Sequence, residues 1–108
     1  MIANLSGTPS RLCQKAIGAI STTLYTAQPD GRTAILDLIV TNTTTAAITL
    51  RLCIGTISTA TAIAYDLLIA PNSITEIEGF IILNVSESLV ATGSTTGLTT
   101  TISGLERV

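Results

Sequence analysis

Residues Arg32–Asn42 read RTAILDLIVTN, and the fold turns on them. Side chains along an extended strand alternate between its two faces. That spacing places Leu36, Leu38 and Val40 on one face and Ile35, Asp37, Ile39 and Thr41 on the other. The first face is wholly apolar and must meet a core. The second mixes two isoleucines with an aspartate and a threonine, which suits a covered but not fully dry surface. A strand with apolar residues on both faces belongs in the middle of a sheet.

Just upstream, Thr22–Ala27 (TTLYTA) is rich in β-formers and reads as a strand. Between the two, Gln28-Pro29-Asp30-Gly31 is a turn: proline presets φ and glycine supplies the positive φ of a tight reversal. Downstream, Thr43-Thr44-Thr45-Ala46 connects to Ala47–Ile54 (AITLRLCI). There Ile48, Leu50, Leu52 and Ile54 alternate with Thr49, Arg51 and Cys53, the pattern of a half-buried antiparallel strand. Gly55–Thr61 is a polar loop. Ala62–Ala70 (AIAYDLLIA) is a strand with Ile63, Tyr65, Leu67 and Ile69 on one side and Asp66 on the other. Pro71-Asn72-Ser73 turns the chain. Ile74–Glu78 and Phe80–Asn84 read as two short strands broken at Gly79. Ser88–Thr92 and Leu98–Gly104 (LTTTISG) complete the series around the Gly93–Gly97 hairpin loop.

Seven or eight short strands at this spacing, separated by glycine and proline, predict an all-β fold. The expected form is a single antiparallel β-sandwich, of jelly-roll or Ig-like type. No stretch is long enough for a crossover helix between parallel strands. Residues 22–108 are expected to be the sandwich and residues 1–21 an N-terminal arm. Within that arm, Leu12, Ala16 and Ile20 recur at helical spacing, yet the stretch Arg11–Ser21 could equally be extended. The extended or irregular reading is preferred.

The 108 residues fit one domain. Only 11% are charged while 46% are hydrophobic; about 25% charged is ordinary for a soluble domain. Threonine, serine and alanine take up the difference. With a net charge of −2, such a surface has little electrostatic repulsion between copies. Exposed apolar patches usually mark interfaces, so the chain is expected to function inside an assembly. The bland alternative is a monomer kept in solution by its hydroxyls.

The five cations, Arg11, Lys15, Arg32, Arg51 and Arg107, are scattered. Phosphate binding needs them clustered, with stacking aromatics, so no nucleic-acid partner is expected. No apolar run reaches the length of a helical membrane span, and no membrane partner is expected. Cys13 and Cys53 could pair once, but two cysteines do not make a disulfide framework. Free thiols in a reducing cytoplasm are the simpler reading.

Catalytic signals are missing from the sequence. There is no histidine, which removes the commonest general base and metal ligand. Glu76 and Glu78 share a strand face, but calcium loops need denser oxygen donors. GSTTG at residues 93–97 lacks the lysine of a phosphate-binding loop. Neither an enzyme nor a cofactor or metal is expected. Asp37 remains the sharpest residue. A carboxylate between two isoleucines should not sit dry without a partner. It is either at a wet rim or paired with Arg32 or Arg51, its own or a neighbour's.

The segments LYTAQPDGRTAILDLIVTNTTTAAITLRLCIG, AIAYDLLIAPNSITEIEGFIILNVSESLVATGS and LTTTISGLE resemble a family of small structural proteins of tailed bacteriophages. The shared habit is a tyrosine-bearing strand, a Pro–Gly turn, an Arg-Thr strand ending in Asn-Thr, and a final Ile-Ser-Gly-hydrophobic-Glu. The likeness covers Leu24–Glu106 and excludes the arm. It implies a β-sandwich on the virion, assembled in the host cytoplasm, and carries over no catalytic residues. The expected role is a capsid decoration or cement protein, with a homotrimer as the assembly and the major capsid protein or other virion proteins as partners. The alternative is a tail or head–tail component, including a module that binds a host glycan. The residues expected at a protomer or capsid interface are Ile35, Asp37, Ile39, Arg32 and Arg51, with Ile2, Leu5 and Leu12 of the arm.

Overall fold

The computed structural model describes residues 10–29 and 31–107. Eight strands fall in them: β1 (Ser10–Ile17), β2 (Thr22–Thr26), β3 (Arg32–Asn42), β4 (Ile48–Ile54), β5 (Ala62–Ile69), β6 (Ser73–Leu83), β7 (Ser88–Gly93) and β8 (Leu98–Arg107). One sheet has the order β1-β8-β3-β6 and the other β2-β7-β4-β5, with every neighbouring pair antiparallel. Apart from the β4–β5 hairpin, each connection crosses from one sheet to the other. Eight strands in two interleaved four-stranded sheets make a jelly roll, which decides between the two expected sandwich types. As the sequence requires, β3 is central, between β8 and β6.

The core lies between the sheets. Leu38 and Val40 of β3 meet Ile48, Leu50 and Leu52 of β4, with Ile69, Leu83, Leu89, Leu98 and Ile102 around them. Burying each such side chain is worth about 1.5–3 kcal/mol. Asn42, at the end of β3, is fully buried and polar. Its amide donates to the carbonyls of Ala46 and Ile69, and its carbonyl oxygen accepts from the backbone N–H and hydroxyl of Thr44. One side chain thus closes the β3–β4 turn and fastens it to β5. Gly97 sits at φ 123, and a Cβ there would collide with Thr44 and Ile48. Glycine lets the β7–β8 loop lie against that same turn.

Four features differ from the sequence reading. β1 is a strand of the sandwich, paired with β8 along its length. Cys13 and Ile17 of β1 are in the core, so residues 10–17 belong to the domain and not to an arm. β6 runs unbroken through Gly79 as one eleven-residue strand. β8 continues to Arg107, beyond the expected end at Gly104.

The fourth difference is in β3 itself. Ile35 is 1% exposed and faces the core together with Leu38 and Val40. A bulge between Ile35 and Asp37 shifts the alternation by one residue. From Gly104 to Ser103 is one step on β8, from Ile35 to Asp37 is two on β3, and from Ile81 to Glu78 is three on β6. A period of two cannot be carried across such an irregularity, which is why Ile35 lands on the opposite face from the one expected.

Candidate assembly interface

The outer face of the β1-β8-β3-β6 sheet can be read in rows of paired residues. One row runs Ala16, Thr99, Thr41, Ile74; the next Gln14, Thr101, Ile39, Glu76; the third Arg11, Ser103, Asp37. Its middle is threonine and serine around Ile39, with Asp37 on the same central strand and Arg11 and Glu76 on the two edge strands. Asp37 and Ile39 are half-buried on this face. Leu12 is half-buried and packs against the core.

The expected meeting of Asp37 with Arg51 does not occur within the protomer. Arg51 projects from β4 on the outer face of the opposite sheet. There its Nε donates to the Asp66 carboxylate at 2.7 Å, and its guanidinium stacks 4.2 Å above the Tyr65 ring. The Arg51 hydrogen bond holds the Asp66 carboxyl below its ordinary pKa, and Asp66 in turn raises that of Arg51. Both groups are exposed, so the pair adds little to stability. For Arg32 the backbone pairs with Arg107 of β8; its side chain, with Ile2 and Leu5, lies outside the described residues.

Asp66 and Tyr65 owe their positions to a second bulge. Leu50 pairs with Leu67 and Leu52 with Ala64, so β5 carries an extra residue there. Asp66 takes φ 56, the left-handed region that aspartate tolerates better than most residues. The extra residue turns Tyr65 outward, away from the side of Ile63, Leu67 and Ile69 with which alternation grouped it. Together Thr49, Arg51, Asp66, Thr92 and Ser94 line a shallow recess of about 290 Å³ rimmed by hydroxyls. Beside it, Cys53 sits on the outer face of β4 as expected, yet it is fully buried. Its thiol donates to the carbonyl of Ser58 in the loop that folds back over it. Cys13 is on the inner side, and both thiols are free. Burial raises the pKa of Cys13 against a smaller opposing effect of Lys15.

Sequence reasoning overlooked one lateral margin. β5 and β6 are edge strands of the two sheets and lie on the same side of the sandwich. Leu68 is 62% exposed and Ile74 69%, with Tyr65 and Ile82 also exposed. The apolar content of AIAYDLLIA and ITEIE was legible, but not its position at an edge. On the opposite flank, the Tyr25 hydroxyl of β2 bonds to the Glu106 carboxylate of β8 and accepts from Thr33 of β3. The tyrosine and the final glutamate of the family pattern therefore meet across the two sheets. Among the described residues no three of His, Cys, Asp and Glu are grouped as metal ligands.

No known family description and no curated protein sequence matches the chain. Two solved structures share its fold. One is a Bacillus endospore appendage, described as belonging to a novel family of disulfide-linked pili. It is 13% identical, with a TM-score of 0.54, covering 94% of this chain and 87% of that one. The other is a chain of infectious bursal disease virus, Gx strain. It is 12% identical, with a TM-score of 0.50 over 92% of this chain, which spans 30% of the viral chain's length. At these identities the likeness shows the fold alone: a β-sandwich also found in a pilus and in a virus particle.

Proposed function

We propose that this chain is a non-enzymatic structural subunit of a bacteriophage virion, a decoration or cement protein seated on the capsid. The observation that carries the reading is the exposed apolar margin of β5 and β6, where Leu68 and Ile74 stand in water. A monomer with so few charges gains nothing from that exposure; a subunit with neighbours does. The sequence resemblance over Leu24–Glu106 and the jelly-roll order support the same reading. Half-buried Asp37 and Ile39 extend the contact surface onto the outer face, where a neighbour's cation can meet the carboxylate. A homotrimer at the junction of capsid subunits is the arrangement proposed, formed in the host cytoplasm. The test is to mix the purified protein with capsids that lack it and image the particles. Density repeated over the head at fixed positions is the expected result. Failure to bind, together with its absence from virions in stoichiometric amount, overturns the proposal.

A second reading rests on the recess beside Arg51. Hydroxyls, an ion pair and one exposed tyrosine are the kinds of groups that grip a glycan. A tail location in few copies per particle, with binding to host-surface sugars, would favour it over a cement role.

A further inference from the structure

We infer that copies of this chain meet at one uncharged end of the sandwich, Ile20 of one protomer seating in a recess beside Ile74 of the next. The inference gives the proposed oligomer a contact; it rests on the reading of the chain as a self-associating subunit and not on its place in a virion. Ile17, Leu98, Asn42 and Ser73 form the last row of the β1-β8-β3-β6 sheet. The β1–β2, β3–β4, β5–β6 and β7–β8 loops therefore all emerge at one end. None of the five cations and seven acidic residues of the chain falls in these loops. Each loop sits inside a longer uncharged stretch, namely 16–29, 38–50, 67–75 and 88–105. The topology thus gathers four uncharged stretches in one place. A fifth, 52–65, turns at the opposite end, where the β6–β7 loop carries Glu87. The most exposed large apolar side chains among the described residues are Ile20 at 82%, Ile74 and Leu68, and all three belong to the uncharged stretches.

Ile20 is a fixed knob. The Gly93 N–H donates to the Gly18 carbonyl and the Thr22 hydroxyl to that of Ile20, which ties down the β1–β2 loop. At the β6 flank of the same end, Thr41, Asn42, Thr43, Asn72, Ser73 and Ile74 line a shallow recess of about 320 Å³ with a largely apolar wall. The Asn42 side chain there is already spent on Thr44, Ala46 and Ile69, and the Ser73 hydroxyl donates to the Ala70 carbonyl. What the recess offers a guest is therefore mainly aliphatic surface, which suits an isoleucine better than a polar ligand. The four loops hold no cation for a phosphate or an anionic lipid. An uncharged surface loses least against another uncharged one, because neither side has to desolvate a charge, and a second copy supplies that surface. Knob and recess lie on opposite flanks, since β1 and β2 stand at one side and β5 and β6 at the other. Two to three strand spacings, roughly 10–14 Å, keep Ile20 from filling its own recess. Both lie at the same height along the strands, so rotation about an axis parallel to them brings Ile20 of one copy to the recess of the next. A contact between two different surfaces closes into a ring when the rotation divides a full turn, as the proposed homotrimer requires.

The experiment uses the full chain. Sedimentation velocity over a concentration series reads association of the wild type, of Ile20→Lys and Ile74→Lys, and of Val85→Lys as a control at the opposite end. All three positions are exposed, and thermal unfolding checks that each variant keeps the fold. The wild type is expected to self-associate, Ile20→Lys and Ile74→Lys to do so at least tenfold more weakly, and Val85→Lys to match the wild type. Proximity is read directly by mixing Ile20→Cys with Thr43→Cys protein and oxidising under native conditions. A covalent dimer of the two is expected from the mixture and from neither variant alone, because Cys13 and Cys53 are buried. Three results overturn the inference. The wild type stays monomeric at every concentration; or Val85→Lys weakens association as much as Ile20→Lys; or the wild type associates but the mixed cysteine variants cross-link no faster than each alone. Capsid binding by the wild type is measured separately. Binding by a chain that fails these tests removes the contact and leaves the virion reading standing, whereas cross-linking by a chain that ignores capsids does the reverse.

Discussion

β3 and β6 are each eleven residues long, both rich in isoleucine and leucine, and paired with one another on either side of a register shift. β3 has a strand on both sides; β6 has one on a single side. The core-facing Ile35, Leu38 and Val40 of β3 are sealed, whereas Ile74 and Ile82 of β6 are exposed. Apolar composition alone does not say whether a strand is central or marginal. What separates the two is the number of neighbours the topology supplies, and the residues that remain uncovered are those the proposed assembly would cover.

The strongest way to break this comparison is to remove a core side chain from β3. Leu38→Ala should cost about 2–5 kcal/mol, the range for a buried leucine whose cavity does not collapse, read by denaturant unfolding. A cost below 1 kcal/mol would mean that the centre of β3 is no better packed than the margin. Next in size is Asn42→Ala, which strands the buried partners that Asn42 satisfies. A loss of about 1–3 kcal/mol is expected, with no change in the denaturant dependence of unfolding. On the margin, Ile74→Ser should alter the stability of the isolated fold by no more than about 0.5 kcal/mol while weakening association. Ile39→Lys, on the outer face of β3, should likewise weaken the oligomer more than the fold. If either unfolds the protomer outright, the distinction between sealed and open faces is misplaced.

The smallest effect concerns the Arg51–Asp66 pair. Its depressed carboxyl pKa contributes stability above the ordinary carboxylate range, and that contribution is lost as pH falls through the folded-state value. Because the pair is exposed, the change in unfolding midpoint should be slight. An NMR titration is the sharper measurement: Arg51→Met should return Asp66 toward its ordinary pKa, and an unmoved value would refute Arg51 as the cause.

Much of this architecture was legible in the sequence. The alternation of Ile48, Leu50 and Leu52, the β-rich TTLYTA and the glycine-proline punctuation predict the strands and the sandwich. They do not predict the bulges, because an extra residue changes the phase of the pattern without any composition of its own. Ile35 and Tyr65 were therefore assigned to the wrong faces. Gly79 looked like a break because a glycine in a strand often is one; β6 continues through it as one strand, with its register against β3 shifting between Ile81 and Glu78. Lys15 and Gln14 gave β1 a polar cast that concealed its role as an edge strand of the core sheet. Asp37 and Arg51 looked like partners only because sequence does not reveal that they lie on the outward faces of opposite layers.

The bulge of β3 also leaves a trace that comparative genomics can look for. The residues before it and after it keep separate hydrophobic phases, and a single-residue deletion at Leu36 would merge them: Ile35 inside and Asp37 outside would then follow one another in ordinary alternation, with every upstream residue keeping its face. Relatives that have lost the irregularity should show a one-residue gap near position 36 together with an unbroken period-two pattern from residue 32 to residue 42. Compensating losses are expected across the pairing partner, around positions 78–80. Substitution rates on the two sides of that point should then drift as though they belonged to two short strands.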